Sequence, residues 1–358
     1  MGGDSAGSRS TATWAVLGVC ALLAVVSTQS SPQRRGQGVT ALGPPPTVVA
    51  TTTTSTSTTT TSTTVATTTV PPPPPAPTTT TTNLVYGPSG PLVAGQWTPI
   101  GYAVDGVPTM TATILEGAGV VRLDARVTKL VQYAGSGEPG GSWPNQGAVG
   151  TASPNGVLAA AFNAGFHTYE SGGGWYDHGN AGVPLRDGAA SLIIKSDGTA
   201  TVGMWGRDAS LTPDVVSVRQ NLSMLVDGGA NLSATSGWGA TLGNVLYTWR
   251  SALGVDGSGN ILWAGGPGQS PYSLAQALIE AGAVRGMETD INPMWVSFSY
   301  YSSPTVGTDL LGGMYFGPDH WLYGSARDFF AVFVDEKPAR LSCSALATNY
   351  LGVCRNNS

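Results

Sequence analysis

The stretch WRSALGVDGSGNILWAGG, residues Trp249–Gly266, carries the clearest fold signal in the sequence. Apolar runs lie on both sides of the polar segment Asp256–Asn260, DGSGN. Asp-Gly and Gly-Asn steps are typical of turns, and two apolar runs joined by such a segment are typical of a β-hairpin. The stretch therefore predicts a pair of antiparallel strands.

Strand patterns recur on both sides of this hairpin. They are TMTATILE (109–116), GVVRLDARVTKLVQY (119–133), VLAAAFNAGF (157–166), SLIIKSDGTATVGMW (191–205), LSMLVDGGANLS (222–233), VRGMETDI (284–291) and DFFAVFVDE (328–336). One helix is expected, with Ser273 as its N-cap, Gln276 completing a capping box and Gly282 ending it. Its buried stripe would consist of Leu274, Leu278 and Ala281. This pattern predicts an α+β fold: a mixed, mainly antiparallel central sheet with a few packed helices.

The N-terminal part of the chain has the composition of a targeting segment followed by a linker. The apolar run Trp14–Ser27 is shorter than the ~20 residues of a comfortable membrane span. Residues 1–30 are therefore expected to be a signal peptide or an N-terminal membrane anchor. Residues 31–83, rich in Thr, Ser and Pro, cannot bury a core and are expected to form a disordered stalk. A folded domain is expected over residues 84–358, outside the cytoplasm, either secreted or anchored to the cell membrane.

Composition also narrows the function classes. Charged residues make up 10% of the chain, against about 25% in typical soluble domains. The formal net charge of −5 gives no basic footprint for nucleic acid. Cys343 and Cys354 are expected to form one disulfide in an exported protein, and two free thiols are the alternative.

The segment GMETDINPMW, Gly286–Trp295, holds two acids in apolar surroundings. Glu288 and Asp290 are two positions apart, so both would point to one face of a regular strand. Two close carboxylates repel each other, which raises one pKa and suits an acid/base pair. The alternatives are structural: an Asp that caps a neighbouring loop, and a Glu that pairs with Arg250 or Arg285.

The order of motifs resembles the phosphodiester glycosidase family. That family has an Asn-Gly-Gly turn after a strand, an Arg-Ser/Thr-Ala-Ile/Leu-Gly strand opening a hairpin, a helix, and an Asp-Gly-Gly-Gly-Ser motif. The matching stretches are FNAGFH (Phe162–His167), RSALGVDGSGNILW (Arg250–Trp263), YSLAQALIEAGA (Tyr272–Ala283), METDINPMW (Met287–Trp295) and RDFFAVFV (Arg327–Val334). The match departs from the family after Asp290, where Ile-Asn-Pro-Met replaces the glycines and the serine.

The resemblance implies an enzyme that hydrolyses a sugar-1-phosphodiester, in a cell-envelope or extracellular glycopolymer. Asp290 and Glu288 would carry the glycosidase-type chemistry, and the Arg250 guanidinium would bind the phosphate. Because the glycines that could cradle a phosphate are lost, a second hypothesis stays open. It is a carbohydrate- or phosphoglycan-binding surface domain that kept the fold without catalysis.

Further polar and aromatic side chains are expected to contact the substrate: Asn163, His167, Asp227, Asn292 and Trp295. Asn163 has an alternative role, which is to hold its own turn. His167 and His178 lie close in sequence, but their spacing matches no metal-site signature. No metal and no cofactor is therefore expected. The expected partners are a carbohydrate or glycosyl-phosphate substrate and, if the N-terminal segment is retained, the membrane.

Overall fold

The computed structural model describes residues 84–88, 90–235, 237–238 and 245–335. The expected targeting segment, the stalk and the Cys343–Cys354 pair lie outside these residues. Within the described ranges, no helix has the length and apolar character needed to cross a membrane.

The described residues form nineteen strands and three short helices. In chain order the strands are β1 (Leu84–Tyr86), β2 (Thr98–Val104), β3 (Val107–Leu115), β4 (Ala118–Leu123), β5 (Thr128–Tyr133), β6 (Leu158–Asn163), β7 (Trp175–Asp177), β8 (Asn180–Val183), β9 (Ala190–Lys195), β10 (Ala200–Met204), β11 (Val215–Gln220), β12 (Met224–Asp227), β13 (Ala230–Asn231), β14 (Thr248–Asp256), β15 (Ile261–Gln269), β16 (Ala283–Asp290), β17 (Phe298–Ser303), β18 (Val306–Asp309) and β19 (Phe329–Val334). The helices are α1 (Thr168–Ser171), α2 (Pro271–Glu280) and α3 (Asp319–Tyr323).

The predicted α+β class is wrong, because the described part of the chain is mainly β. The physical reason is that several neighbouring strands are joined directly by tight turns. Asp105-Gly106 joins β2 to β3 and Glu116-Gly117 joins β3 to β4, all four residues at positive φ. Such two-residue turns match the twist of an antiparallel pair and leave no room for a helix.

The strands form three sheets in which every neighbouring pair is antiparallel. The orders are β1-β2-β3-β4-β15-β14-β16-β12-β13, then β10-β9-β11-β7-β8, then β18-β17-β6-β19-β5. The predicted hairpin is confirmed: β14 pairs with β15, with Leu253 opposite Trp263. The main core lies where side chains of the three sheets meet, including Leu192, Leu253, Phe298 and Phe330.

Helix α2 covers the other face of the nine-stranded sheet. Leu274, Leu278 and Ala281 are buried there, as the stripe predicts. The predicted N-cap is wrong, because the helix begins at Pro271 and its cap is Ser270. Ser270 Oγ accepts the Ser273 N–H at 3.1 Å, and Ser273 Oγ accepts the Ser270 N–H at 3.0 Å. A proline at the first helical position has no N–H to lose, which favours this earlier start.

The residues of the candidate site lie together at one end of the sheets. Strands β6 and β16 end there, and β14 and β19 begin there. Asn163 lies opposite Phe329, and Ser251 lies opposite Asp290. The segments that the sequence resemblance singled out therefore converge, although they come from two different sheets.

Candidate active site

A β-bulge separates the two acids of strand β16. Ala252 pairs with Glu288, but the next residue along β14, Ser251, pairs with Asp290, so Thr289 is the extra residue. A bulge bends its strand and re-aims the side chains around it. Glu288 and Asp290 consequently have different arginine partners, instead of sharing the surroundings expected on a regular strand.

Glu288 is fully buried and pairs with Arg250. Arg250 Nη1 lies 2.6 Å from Glu288 Oε1. This is the structural alternative for Glu288, in which the carboxyl pairs with Arg250. Burial raises the pKa of the Glu288 carboxyl to about 8; the Arg250 charge opposes this rise and the Asp290 charge adds to it. Glu288 Oε2 is buried without a hydrogen-bond partner among the described residues.

Arg250 also holds the backbone around it. Its guanidinium donates to the carbonyl oxygens of Gln269, Trp238 and Leu246 at 3.1–3.3 Å. With the Glu288 bond, four of its five N–H groups are engaged. The predicted phosphate contact at Arg250 would therefore require some of these bonds to open.

Asp290 pairs with an arginine that the sequence analysis did not select. Its Oδ1 accepts the Ile291 N–H at 2.8 Å, and its Oδ2 lies 3.3 Å from Arg327 Nη1. That second contact is an ion pair without hydrogen-bond alignment, since Oδ2 is buried with no hydrogen-bond partner in the described residues. Burial raises the pKa of Asp290 to about 7, while Arg327 and the Ile291 N–H act in the opposite direction.

Arg327 is buried and links Asp290 to the half-buried groups around it. Its Nη2 donates to the Gly165 carbonyl at 2.5 Å. The guanidinium carbon lies 4.7 Å from the centre of the half-buried Trp295 ring, and Nε lies 3.7 Å from Glu138 Oε2. The Arg327 guanidinium lies between two carboxyl groups, and most of its N–H groups do not donate to backbone carbonyls. Such N–H groups are what binding a phosphate requires.

Asn163 ties three strand segments together. Its Nδ2 donates to Ser251 Oγ at 3.0 Å, and its Oδ1 accepts the Ser297 N–H at 3.3 Å. Ser251 Oγ lies 2.8 Å from Thr289 Oγ1, on the bulge itself. These buried bonds support the alternative in which Asn163 holds local structure close to the acids.

Asn292 and Trp295 belong to the loop that follows Asp290. Asn292 Oδ1 accepts the Met294 N–H at 2.9 Å, and the Asn292 carbonyl accepts the Trp295 N–H at 3.0 Å. The Asn292 side chain thus forms a local turn of the kind that Asn favours. The turn places the Trp295 ring over Arg327.

His167 faces the same region from the other side. Its Nδ1 lies 2.6 Å from Glu138 Oε2, and Glu138 Oε1 accepts the Thr168 N–H at 2.8 Å. Burial acts to raise the pKa of Glu138, but the Thr168 N–H and the charges of Arg219 and His167 outweigh it, so this pKa lies below its usual range. Glu138 is therefore a carboxylate that holds His167 at the rim.

A buried ion pair that the sequence analysis also missed lies next to the site, at the start of β19. Arg219 Nε lies 2.6 Å from Asp328 Oδ2, and neither side chain is exposed. Arg219 also donates to the Phe166 and Gln220 carbonyls, at 2.5 and 2.6 Å. The pair fixes the ends of β6 and β11 against the start of β19. The sequence signal was the Arg-Asp dipeptide that opens RDFFAVFV.

Asp227 lies away from the other predicted residues. It is opposite Arg285 on β16, five residues before Asp290. At about 3.3 Å per residue this separates it from Asp290 by about 17 Å. Asp227 forms an exposed bidentate pair with Arg207, with oxygen–nitrogen distances of 2.6 and 2.9 Å. Arg285 lies 3.4 Å from Asp208, so it is not the partner of Glu288.

A cavity of about 400 Å³ lies at the opposite end of the strands. Its lining includes Leu130, Ile193, Val255, Lys195 and Arg285, from all three sheets. None of the predicted site residues lines it. Among the described residues, no group of three His, Cys, Asp or Glu side chains is placed to hold a metal ion.

Two buried carboxyl groups with raised pKa, each beside an arginine, can hold and release a proton near neutral pH.

No protein-family model and no curated protein matches the chain. Among solved structures, the chain is similar to the catalytic domain of zebrafish N-acetylglucosamine-1-phosphodiester alpha-N-acetylglucosaminidase, auto-inhibited by its pro-peptide. The identity is 16% and the TM-score 0.40, over 63% of this chain and 77% of that one.

A hypothetical protein from Synechocystis is also similar, at 14% identity and a TM-score of 0.35. The match covers 66% of this chain and 62% of that one. Both similarities are distant resemblances of fold, and neither bears on the chemistry of the site.

Proposed function

We propose that this domain is an extracytoplasmic hydrolase that cleaves the sugar–phosphate bond of a glycosyl phosphodiester. One observation supports the proposal most strongly. Asp290 is a buried carboxyl with an unpartnered oxygen beside Arg327, and aromatic and polar residues surround the pair at the rim. A cation for the phosphate and an acid for the leaving oxygen are the groups that this reaction needs.

In the proposed reaction, Asp290 donates its proton to the bridging oxygen of the phosphate. The bond between the anomeric carbon and that oxygen breaks, and the phosphate leaves as a phosphomonoester. Water adds to the anomeric carbon, and the proton that it loses returns to the Asp290 carboxylate and restores the acid. The products are a free sugar and the phosphomonoester. A pKa of about 7 leaves a large protonated fraction of Asp290 at neutral pH, which suits a general acid.

Arg327 is the cation best placed to bind the leaving phosphate. Its guanidinium already contacts Asp290 and lies under Trp295 at the rim. Arg250 donates to three backbone carbonyls and Glu288 has no exposed surface, so in this proposal they act by positioning. The contact between Arg250 and Glu288 holds the strand β16 backbone next to the Thr289 bulge.

The depth of the Arg250–Glu288 pair favours the second candidate function, a binding domain without turnover. Glu288 has no exposed surface, so it cannot reach a substrate directly in this conformation. In that case Arg327 and the surrounding rings would hold a phosphoglycan and release no product.

The test is an assay of the purified protein on a panel of alkyl and aryl sugar-1-phosphodiesters, with detection of reducing sugar and phosphomonoester. Asp290→Asn should lower turnover by roughly a hundredfold or more. Arg327→Lys should lower it by roughly a hundredfold, because Lys cannot reproduce the bidentate contact. Asp105→Asn, in the exposed β2–β3 turn, is the control and should keep full activity. Turnover that survives both site substitutions would show that the site is elsewhere.

A further inference from the structure

A row of aromatic side chains leads from Arg327 to the surface. Trp295 lies over the guanidinium, the Phe316 ring centre is 5.0 Å from that of Trp295, and the Tyr315 centre is 4.9 Å from that of Phe316. We call these three rings the aromatic shelf. It begins at the ion pair that holds Asp290 and ends at Tyr315, which is 61% exposed.

The shelf is held rigidly from behind. His320 stacks on Phe316 with ring centres 4.1 Å apart and planes 18° from parallel. Ser297 Oγ donates to the Phe316 carbonyl at 3.4 Å, and the Asn292 turn fixes Trp295. Rings fixed in this way lose little conformational entropy when a ligand covers them, which favours binding at an exposed surface.

The chemistry of the shelf favours a sugar chain. Its rings are partly exposed, and they lie near polar groups: the exposed Asp319 adjoins His320, which stacks on Phe316. A flat amphipathic ring can cover an aromatic face and keep its hydroxyls towards such groups. An acyl chain would instead need an enclosed apolar groove, because its whole surface must leave water.

We propose that the aromatic shelf binds the neutral sugar units of an extended glycan whose phosphodiester lies at Arg327 and Asp290. The proposal rests on the function proposed above and adds the substrate class. The substrate is a chain of sugars, bound over more than one unit, instead of a single glycosyl phosphate. Tyr315, at the outer end, contributes only when the chain is long enough to reach it.

The experiment measures binding without turnover. Asp290→Asn protein is titrated with malto-, cello- and chitooligosaccharides of one to six units, followed by tryptophan fluorescence and calorimetry. For at least one series, the affinity should rise at least tenfold from one unit to the length that reaches Tyr315. Adding Tyr315→Ala should remove this tenfold gain in affinity for the long oligosaccharides and leave the affinity for the short ones unchanged. Adding Tyr315→Phe should retain the gain.

Tyr272→Ala is the matched control, because Tyr272 is also 61% exposed but lies on α2. It should bind all members like the parent protein. The proposal is overturned if no series binds, if affinity does not depend on length, or if Tyr315→Ala changes nothing. Turnover of short phosphodiesters without any length dependence would refute the shelf alone. Length-dependent binding with no phosphodiester cleaved would refute the enzymatic function and leave the shelf in place.

Discussion

Replacing Asp290 with Asn should make the protein relatively more stable as the pH rises. Burial raises the pKa of Asp290 to about 7 in the folded protein, against about 3.9 in an unfolded chain. Between these values the folded state holds a proton that the unfolded state has lost, so stability falls as the pH rises through this window. At about 1.4 kcal/mol per pH unit, the loss from pH ~5 to pH ~8 amounts to roughly 2.5 kcal/mol.

Asn keeps the shape of the side chain and an oxygen for the Ile291 N–H, but it does not ionise. Urea unfolding of wild type, Asp290→Asn and Asp105→Asn at several pH values from about 5 to about 8 measures the effect. The free energy of unfolding of Asp290→Asn relative to wild type should increase by roughly 2.5 kcal/mol over this range. Glu288 is present in both proteins, so most of its contribution cancels. Parallel curves for wild type and Asp290→Asn would refute the account of a buried, protonated acid.

Three further outcomes are expected. Asp328→Asn should destabilise the protein by about 3–5 kcal/mol in urea unfolding, because it leaves the buried Arg219 without its counter-ion; a loss below about 1 kcal/mol would contradict the role of the pair. Gly165→Ala should lower the midpoint of the same transition by overpacking, because a Cβ there would overlap the Asn221 amide; an unchanged midpoint would show that this contact can relax. Peptide mapping without reductant should find Cys343 and Cys354 cross-linked, and alkylation of both as free thiols would contradict the predicted disulfide.

Local sequence signals located the individual elements well. The hairpin around DGSGN and the apolar stripe of α2 depend on neighbours within a few residues, and both are present. The start of α2 was misplaced because Ser273 and Ser270 both suit a cap, and only the chain path shows that Pro271 begins the helix. The prediction of the fold class was wrong for a different reason. The sheets are built from many short antiparallel pairings, whose number and partners no single stretch specifies.

The partners of the site residues could not be read from the sequence, because they depend on contacts between distant strands. Arg327 precedes β19, which pairs with β6 in the third sheet, whereas Asp290 ends β16 in the first sheet. Their contact therefore depends on how the two sheets pack together. The bulge at Thr289 then sends Glu288 to Arg250 instead of placing both acids together. His167 similarly depends on Glu138, 29 residues earlier in the chain.

The most direct test of the proposed function identifies the bond that is cleaved. A sugar-1-phosphodiester that the protein cleaves is hydrolysed in water labelled with the heavy oxygen isotope. The two products are then analysed by mass spectrometry. Attack at the anomeric carbon, with Asp290 as the acid and Arg327 on the leaving phosphate, predicts the label in the free sugar and none in the phosphomonoester. Label in the phosphomonoester, or no turnover of any phosphodiester on the panel, would contradict the account.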